Sequence, residues 1–324
     1  MKSFPAAWRS TIPEVALAPY LAPAQADAEA VRLANLGGFE LVPYGTSAEG
    51  RPLTAVRVPS QKAGAPAVLC SANIHGLEFI GRHVALGLLA ATSSLKSGTT
   101  GDGELARLVK RAELWVIPCL NPDGYAHTWS QAGRGRFAGL RTNAQQVDLN
   151  RNFPVPAGAM LSRLPGAGSK RRGDATYRGP SPLSEPESAA LVQLLSRVPF
   201  VASTNLHSTM GALIPAHVTD EASYSTYKHL CQAFRRAQKH RRYVRLAHRW
   251  LDVFTGELED FQHHAFGTWT VCVEIFPFWE RLRQHLFAPS LFWRFNPPSP
   301  ERWIENDVPG IVAFFHAVLD LLER

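Results

Sequence analysis

Two histidines and a glutamate stand just after, or at the end of, predicted strands, where they could bind a metal ion. The apolar run 67–70 is followed by His75 and Glu78, three residues apart on a loop that contains Gly76, and His207 closes another apolar run. Zinc accepts imidazole nitrogen and carboxylate oxygen, and two histidines with one carboxylate leave a coordination position open for water. Each residue alone is also consistent with an ordinary loop or core position. Together they predict a catalytic site for one Zn²⁺ per chain.

Glu274 is a lone carboxylate inside the apolar run 271–276. Burying a carboxylate is unfavourable unless another group compensates its charge. An ion pair with an arginine would do so, and so would a position beside a metal ion, where the carboxylate could act as a general base. Because the predicted zinc ligands also follow strands, we favour the general base.

A polar loop region carries two arginines and several amides. It contains the turn Asn121–Tyr125, Arg141, and the pair Asn150 and Arg151. A guanidinium group binds a carboxylate through two hydrogen bonds and can stabilise an oxyanion. One arginine could therefore hold a substrate carboxylate while the other acts at the reacting carbonyl, although salt bridges that tether the loop remain an alternative.

The elements that must position these side chains alternate between strand and helix. Short apolar runs predict strands at 39–42, 53–58, 67–70, 114–119, 200–205 and 270–275. Apolar periodicity predicts helices at 83–95, 185–197, 222–239 and 308–322. The alternation predicts an α/β fold with a largely parallel sheet covered on both faces. Open sheets of this kind place their sites at the carboxyl ends of the strands, where these polar residues stand.

We expect one catalytic domain over residues 1–324, because 45% hydrophobic and 19% charged residues are typical of a globular chain. Residues 1–40 form a helical lead-in in this interpretation. The segment 155–182, rich in Gly, Pro, Ser and Arg, forms a surface loop.

The net charge of +7 is concentrated in two basic clusters, Lys170–Arg172 and Arg235–Arg245. No nucleic-acid-binding motif accompanies them, so we expect solvated surfaces and no nucleic-acid partner. No apolar run approaches the roughly 18 residues of a membrane span, which predicts no membrane association. Four cysteines without CxxC spacing, and no apolar leader after Met1, favour a reducing, cytoplasmic location. The oligomeric state is left open.

The order of these clusters resembles the zinc carboxypeptidase family, and more closely its bacterial murein peptide amidase branch. The resemblance rests on seven stretches, which are Gly45–Leu53, His75–Glu78, Asn121–Tyr125, Arg141–Pro154, Leu183–Glu187, His207-Ser208 and Glu274. It implies a mixed, mostly parallel sheet of about eight strands with helices on both faces. It also implies a role for each polar residue: zinc ligands for His75, Glu78 and His207, polarisation of the scissile carbonyl for Arg141, binding of a terminal carboxylate for Asn150 and Arg151, and general-base catalysis for Glu274.

Two positions depart from the family pattern. Digestive members carry an arginine before the metal-binding glutamate, where this chain has Leu77. Many members carry a tyrosine about twenty residues before the base, where this chain has 252–254, Asp-Val-Phe. Tyr177 or Tyr243 would then have to cap the substrate from a loop.

The resemblance also places the floor of the specificity pocket at Glu259, counted back from Glu274. A carboxylate in a shielded pocket favours a cationic partner, which predicts release of a residue with an amine or guanidinium. The alternative is that the acidic run 257–260 is a solvated loop or a helix start.

The predicted reaction is hydrolysis of an amide or peptide bond next to a C-terminal residue that carries a carboxylate, in a peptide or muropeptide. One alternative is an N-acyl amino acid deacylase of the aspartoacylase and succinylglutamate desuccinylase type, which shares the zinc set. The Asn121–Tyr125 and Ser184–Glu187 segments favour the peptidase. A catalytically inactive binding module is a further alternative, although the three ligands and the base are all present.

Overall fold

The computed structural model describes residues 17–96, 103–155, 157, 167–250, 254–277 and 282–323. The start of the predicted lead-in, 1–16, and residues 156 and 158–166 of the predicted loop lie outside the described residues. The strands are β1 (Glu40–Thr46), β2 (Pro52–Val58), β3 (Ala67–Ala72), β4 (Glu113–Ile117), β5 (Phe200–Ser208), β6 (Ala212–Pro215), β7 (Val244–Arg245) and β8 (Trp269–Ile275).

The longer helices of the described ranges are α1 (Pro23–Gly37), α2 (Phe79–Lys96), α3 (Glu104–Arg111), α4 (Pro122–Ser130), α6 (Pro186–Arg197), α7 (Glu221–Ala237), α8 (Leu258–Phe266) and α11 (Pro300–Leu322). Shorter ones are α5 (Phe137–Arg141), α9 (Leu282–Phe287) and α10 (Phe292–Phe295). None of these helices combines the length and the apolar character that a membrane crossing requires.

The strands form one sheet in the order β1-β2-β4-β3-β5-β8-β6-β7. Four of its neighbouring pairs are parallel, including β4 with β3, β3 with β5, and β5 with β8. The other three pairs are antiparallel and lie toward the two edges. The predicted mixed, mostly parallel sheet is therefore confirmed.

The central strands are largely buried on both faces, which explains the apolar stretches in β3 and β8. All six residues of β3 are buried. One face of the sheet packs against α2, α7 and α11, with Val84, Phe234 and Phe315 in a shared core. The opposite face packs against α6 and α8 through Leu191 and Phe261. The helices thus fix the sheet, and the sheet fixes the side chains at its carboxyl ends.

Helix α11 begins at Pro300, well before the predicted start at residue 308. Two features hide this first part in the sequence. Pro309 stands inside the helix, although proline usually marks a helix start, and the preceding Asn306 and Asp307 are polar yet fully buried. These two residues are buried through hydrogen bonds to residues 238–243, whereas an amphipathic helix pattern has apolar residues at its buried positions.

The predicted turn Asn121–Tyr125 is the first turn of α4. The side chain of Asn121 accepts a hydrogen bond from the Gly124 nitrogen at 2.8 Å, and Pro122 occupies the first helical position. Asparagine before the first turn and proline within it are both favoured at a helix start. The same residues that favour a turn therefore begin a helix here.

Candidate metal centre and active site

The predicted metal ligands and Glu274 meet at the carboxyl ends of three adjacent strands. His75 and Glu78 follow β3, and His207 lies near the end of β5, where it pairs in register with Glu274 of β8. His75, Glu78 and His207 are 3%, 1% and 2% exposed, respectively. Buried polar side chains of this kind require partners, and these three have each other.

The three side chains fit a zinc ion. Nδ1 of His207 lies 3.2 Å from Nδ1 of His75, and the oxygens of Glu78 lie 2.9 Å from His75 Nδ1 and 3.2 Å from His207 Nδ1. Two imidazole nitrogens that face each other cannot both carry a hydrogen, so at least one lone pair points inward. Tetrahedral zinc with Zn–N bonds of about 2.0–2.1 Å separates two nitrogens by roughly 3.3 Å. The observed spacing matches that arrangement.

The charges of these residues favour a cation between them. Burial by itself would raise the pKa of Glu78, but His75 and His207 outweigh it and hold the pKa of Glu78 well below its usual range. Burial by itself would lower the pKa of His207, but Glu78 outweighs it and raises the pKa of His207 to about 9. Without a metal, therefore, a proton is held among these groups. A divalent cation would displace that proton.

Asp148 orients His75 from behind. Its Oδ1 lies 3.1 Å from His75 Nε2, and its Oδ2 accepts a hydrogen bond from Arg141 Nε at 2.9 Å. A carboxylate on the outer nitrogen of a ligating histidine fixes the ring orientation and its tautomer. The sequence patterns assigned no separate role to Asp148. A carboxylate two residues before the Asn150-Arg151 pair was the signal that could have found it.

Two glycines hold the ligand loop against α4. A Cβ atom added at Gly76 would lie 2.6 Å from the carbonyl carbon of Gly124, so the two backbones pack with no room for a side chain. The Gly76 nitrogen donates to the Arg141 oxygen at 2.9 Å, and Asn121 Nδ2 donates to the Ile74 oxygen at 3.1 Å. The Asn121–Tyr125 motif thus positions the loop that carries His75 and Glu78.

A cavity of about 650 Å³ opens at this edge of the sheet. It is lined by every residue that the sequence predicted for the site, namely His75, Glu78, Arg141, Asn150, Arg151, His207, Glu259 and Glu274. The cavity is large enough for an amino-acid side chain and the adjoining peptide.

A sequence model of the family described as zinc carboxypeptidase matches residues 33–278, which is most of the chain. The chain belongs to the zinc carboxypeptidase family. Relatives include carboxypeptidase D of Drosophila melanogaster, 31% identical over 186 residues, and carboxypeptidase Z of Rattus norvegicus, 29% identical over 222 residues. These matches cover 55% and 64% of this chain but only 12% and 32% of the relatives, which are much longer proteins.

Solved structures share the fold of this zinc carboxypeptidase family member. Carboxypeptidase A from Helicoverpa armigera superposes with a TM-score of 0.72 at 19% identity, covering 94% of this chain and 75% of that one. Bovine thrombin-activatable fibrinolysis inhibitor, in complex with a tick carboxypeptidase inhibitor, gives 0.70 at 17% identity, covering 93% and 98%. At these identities the likeness concerns the fold alone.

In this member of the zinc carboxypeptidase family, Glu274 lies beside the candidate metal ligands and is partly exposed to the cavity. Its buried Oε2 has no hydrogen-bond partner among the described residues. Burial, followed by the negative charge of Glu78, raises the pKa of Glu274 to about 7, against the opposing charges of His207 and Arg141. A carboxylate in this state can take up a proton and return it near neutral pH. A cation on the three ligands would shift the pKa back toward its ordinary value.

Arg141, Asn150 and Arg151 line the cavity with their geometry fixed by other groups. Asp148 holds Arg141, whose Nη1 lies 3.9 Å from Glu78 Oε1. Oδ1 of Asn150 accepts from the Leu258 nitrogen at 2.8 Å. Arg151 Nη1 donates to the Asn150 oxygen at 2.5 Å, while its buried Nε has no partner among the described residues. Arg151 thus lines the cavity and also has a buried donor without a partner among the described residues.

Glu259 is buried in the cavity wall rather than solvated. Helix α8 does begin at Leu258, but Glu259 is only 1% exposed. Its Oε1 accepts a hydrogen bond from Asn205 Nδ2 at 3.0 Å, and its Oε2 has no partner within the described ranges. The helix-start interpretation was therefore correct for the backbone, whereas the solvated interpretation was wrong for the side chain.

The tyrosines considered as substrate caps do not line the cavity. Tyr243 is fully buried elsewhere, and its hydroxyl donates to Asp307 Oδ2 at 2.7 Å. Tyr177 contributes no atom to the cavity wall either. Residues 252 and 253 lie outside the described residues, while Phe254 lines the cavity with its ring 4.7 Å from the Arg151 guanidinium. An aromatic ring without a hydroxyl thus occupies this part of the wall.

Leu77 takes no part in the cavity. Its side chain is completely buried, and its carbonyl oxygen accepts a hydrogen bond from Asn296 Nδ2 at 2.7 Å. The family's arginine at this position therefore has no counterpart here. The ligand loop is instead anchored from behind to the segment before α11.

Proposed function

We propose that this chain is a zinc-dependent carboxypeptidase that hydrolyses the amide bond next to a C-terminal residue. The observation that carries the proposal is the convergence, in one cavity, of a two-histidine, one-glutamate set with Glu274 and Arg151. Glu274 Oε2 and Arg151 Nε each lack a hydrogen-bond partner among the described residues. Hydrolysis of a terminal amide needs these three functions, and family membership supports the same chemistry.

Substrate binding begins at Arg151 in this proposal. Its unsatisfied Nε and the neighbouring Asn150 side chain bind the terminal carboxylate of the peptide, and this contact sets which bond is cut. The scissile carbonyl then lies toward Arg141 and the metal ligands. Asp148 keeps the Arg141 guanidinium in place, so that it can stabilise the oxyanion without reorganising.

During cleavage of the amide bond, Glu274 first accepts a proton and later donates it. His75, Glu78 and His207 would hold a Zn²⁺, whose positive charge would acidify a water and polarise the carbonyl. Glu274 takes a proton from the water as the water oxygen attacks the carbonyl carbon. It then gives that proton to the amide nitrogen as the C–N bond breaks. The products are a shortened peptide with a new carboxylate and a free amine.

The buried carboxylate of Glu259 favours a substrate whose released residue has a positively charged side chain. A buried carboxylate with one unpaired oxygen is stabilised by a lysine ammonium, an arginine guanidinium or the free amino centre of diaminopimelate, and destabilised by an apolar side chain that leaves it unpaired. The last of these residues occurs in muropeptides, so the resemblance to the murein peptide amidase branch and the buried carboxylate favour the same substrate class.

The proposal is tested with the zinc-loaded chain and peptides that differ only in their C-terminal residue. Lys, Arg, Phe and Leu peptides, a diaminopimelate-containing muropeptide, and N-acetyl and N-succinyl amino acids are incubated with it, and the products are identified by mass. We expect release of Lys, Arg or diaminopimelate, and no release after the metal is removed by a chelator.

Glu259→Gln is the matched variant, because it keeps the hydrogen bond to Asn205 and removes only the charge. It should lower kcat/KM for Lys and Arg peptides while leaving Phe and Leu peptides nearly unchanged. A wild-type preference for Phe or Leu would refute the cationic pocket but not the carboxypeptidase. Cleavage of N-acyl amino acids alone would favour the deacylase, and zinc binding without hydrolysis of any substrate would favour an inactive binding module.

A further inference from the structure

A second group of metal-ligating side chains lies on the other side of His207. One donor atom from each of His207, Glu259 and Cys272 lies within 4.8 Å of the others, and all three residues are buried. His207 turns a different nitrogen to each group. Its Nδ1 is 3.2 Å from Glu78, and its Nε2 is 3.9 Å from Glu259 Oε1.

The backbone places this second group on rigid elements. Cys272 and Glu274 are two residues apart on β8, so they project from the same face of the sheet. His207 of β5 pairs in register with Glu274 of β8. Glu259 reaches the group from α8, and Asn205 of β5 donates a hydrogen bond to one of its carboxylate oxygens. Because strands and a helix hold the three donors, small loop movements do not separate them.

Glu259 has an unsatisfied oxygen in this group. Its side chain is 1% exposed, and Oε2 has no hydrogen-bond partner within the described ranges. A buried carboxylate oxygen without a partner is costly, and a cation removes that cost. Nitrogen, thiolate and carboxylate together form a donor set that binds zinc-like ions and disfavours Mg²⁺ or Ca²⁺.

We infer that His207 Nε2, Cys272 Sγ and the Glu259 carboxylate bind a second, thiophilic divalent cation such as Zn²⁺, Co²⁺ or Cd²⁺. The metal replaces the thiol proton of Cys272 and the ring proton on His207 Nε2, and both protons leave to solvent. When both sites are filled, the His207 ring is an imidazolate that bridges two cations. The second cation lies in the wall of the cavity that Glu259 shares with Glu274.

A cation in this site would regulate the carboxypeptidase activity proposed above. This effect on activity rests on the proposed function. A cation on Glu259 occupies the carboxylate that would bind the substrate's ammonium or guanidinium group. Excess metal should therefore inhibit the release of Lys and Arg, and raising the substrate concentration should relieve the inhibition. The existence of the site, however, does not depend on any activity.

Cobalt titration of the metal-free chain tests the site directly. Sulfur bound to Co²⁺ gives a charge-transfer band in the near ultraviolet, whereas a site of two histidines and a glutamate gives visible ligand-field bands without it. We expect binding of two equivalents, with the near-ultraviolet band tied to one of them. Cys272→Ser should abolish that band and that equivalent while retaining the other.

Two further variants make the test specific. Glu259→Gln should weaken the thiolate-bound equivalent by on the order of 10-fold or more, since even indirect partners of a metal contribute that much. Cys231→Ala is the matched control, because Cys231 is a buried free thiol on α7, outside both groups, and its loss should leave the band unchanged.

Saturation at one equivalent without the charge-transfer band would overturn the inference, and so would a band that survives in Cys272→Ser. Neither result would affect the assignment of His75 and Glu78 as ligands of the primary zinc site. Saturation at one equivalent that carries the sulfur band would instead refute the primary zinc site. The two proposals therefore fail separately, and the wild-type titration alone already decides whether sulfur binds the metal.

Discussion

Glu78 contacts both histidines of the candidate metal site through opposite oxygens, at 2.9 Å from His75 and 3.2 Å from His207. Each ligand therefore supports the position of the other two. Removing one histidine deprives the metal of a donor and also leaves a buried carboxylate short of a partner. At the scale of single residues, the site should respond sharply to such a change.

His207→Ala should lower zinc affinity by at least about 10-fold, because the loss of a direct donor exceeds the effect of losing an indirect one. Competition with a chromophoric chelator measures the affinity. His229→Ala is the control, since His229 is exposed on α7 and should leave zinc binding unchanged. Undiminished zinc affinity in His207→Ala would remove His207 from the ligand set.

Glu274→Gln should separate metal binding from catalysis. Glutamine keeps the size of the side chain but cannot take up the proton of the water, so kcat should fall by roughly 10²–10⁴-fold while zinc content stays the same. Zinc analysis and steady-state kinetics on one preparation measure both. Turnover near the wild-type rate would exclude Glu274 as the base.

Arg151→Ala should act on binding rather than on the chemical step. In the proposed mechanism the arginine contacts a substrate carboxylate that does not change during the reaction, so its loss should mainly raise KM. Amidation of the peptide's C-terminus removes the same contact from the substrate side. If the wild-type chain cleaved amidated and free peptides equally well, Arg151 would have no part in carboxylate binding.

The residue types and their positions after strands, together with the family resemblance that gave Glu259, were enough to predict which side chains line the cavity. They did not reveal Asp148 behind His75 or Cys272 beside Glu259, because those contacts depend on how loops and strands pack in three dimensions. They also left Tyr243 as a possible cap, since sequence spacing cannot show that its hydroxyl is already bound to Asp307.

At the scale of elements, the packing of α4 against the ligand loop connects the Asn121–Tyr125 motif to metal binding. Gly76 lies between the two ligands His75 and Glu78, and the backbone of Gly124 fills the space where its side chain would be. A displacement of either backbone would move both ligands. Stability and metal affinity are therefore coupled at this contact.

Gly76→Ala should lower the free energy of unfolding by about 1–3 kcal/mol and weaken zinc binding together, because the added Cβ would lie 2.6 Å from backbone that cannot rotate away. Denaturation and chelator competition measure the two effects. Gly139→Ala is the control, since a Cβ at Gly139 in α5 meets no atom within 4 Å. Wild-type zinc affinity in Gly76→Ala would show that the ligand loop is independent of α4.

Sequence patterns predicted the central strands and the β1–β2 edge of the sheet, but not the β6–β7 edge. β3, β5 and β8 overlap the predicted runs 67–70, 200–205 and 270–275. β6 and β7 contain four and two residues, too few to show a period. The start of helix α8 was only one of two interpretations of the run 257–260, because its first turn carries buried acidic residues that the sequence pattern suggests are solvent-facing.

At the scale of the whole molecule, α11 is fastened to the segment after α7 by a buried polar network. Asp307 accepts hydrogen bonds from Gln238 Nε2 at 2.9 Å and from the Tyr243 hydroxyl at 2.7 Å, and Asn306 accepts from the His240 nitrogen at 2.8 Å. Both helices pack on the same face of the sheet. The network therefore joins two large parts of the core on the side of the molecule that supports β5 and β8.

Asp307 gives this network a dependence on pH. Its side chain is completely buried, and burial raises the pKa of Asp307 from 3.8 to about 7 despite the hydrogen bonds from Tyr243, Gln238 and Asn306. Below about pH 4 both the folded and the unfolded chain keep the proton, so this group has no effect on stability. Between about pH 4 and 7 the unfolded chain loses the proton while the folded chain retains it. The free energy of unfolding therefore falls through this window, by up to about 4 kcal/mol from this group.

Asp307→Asn should remove that fall, because asparagine keeps a similar shape and an acceptor oxygen but never ionises. Relative to the wild type, the variant should gain stability as the pH rises from about 4 to 7, and the difference should stay constant above that window. Denaturant unfolding at several pH values, with a chelator present in every sample, measures the difference without a contribution from bound metal. Asp320→Asn is the matched control, since Asp320 lies exposed on the same helix. A difference between wild type and Asp307→Asn that did not change with pH would mean that Asp307 is ionised in the folded protein throughout, held as a carboxylate by its three donors.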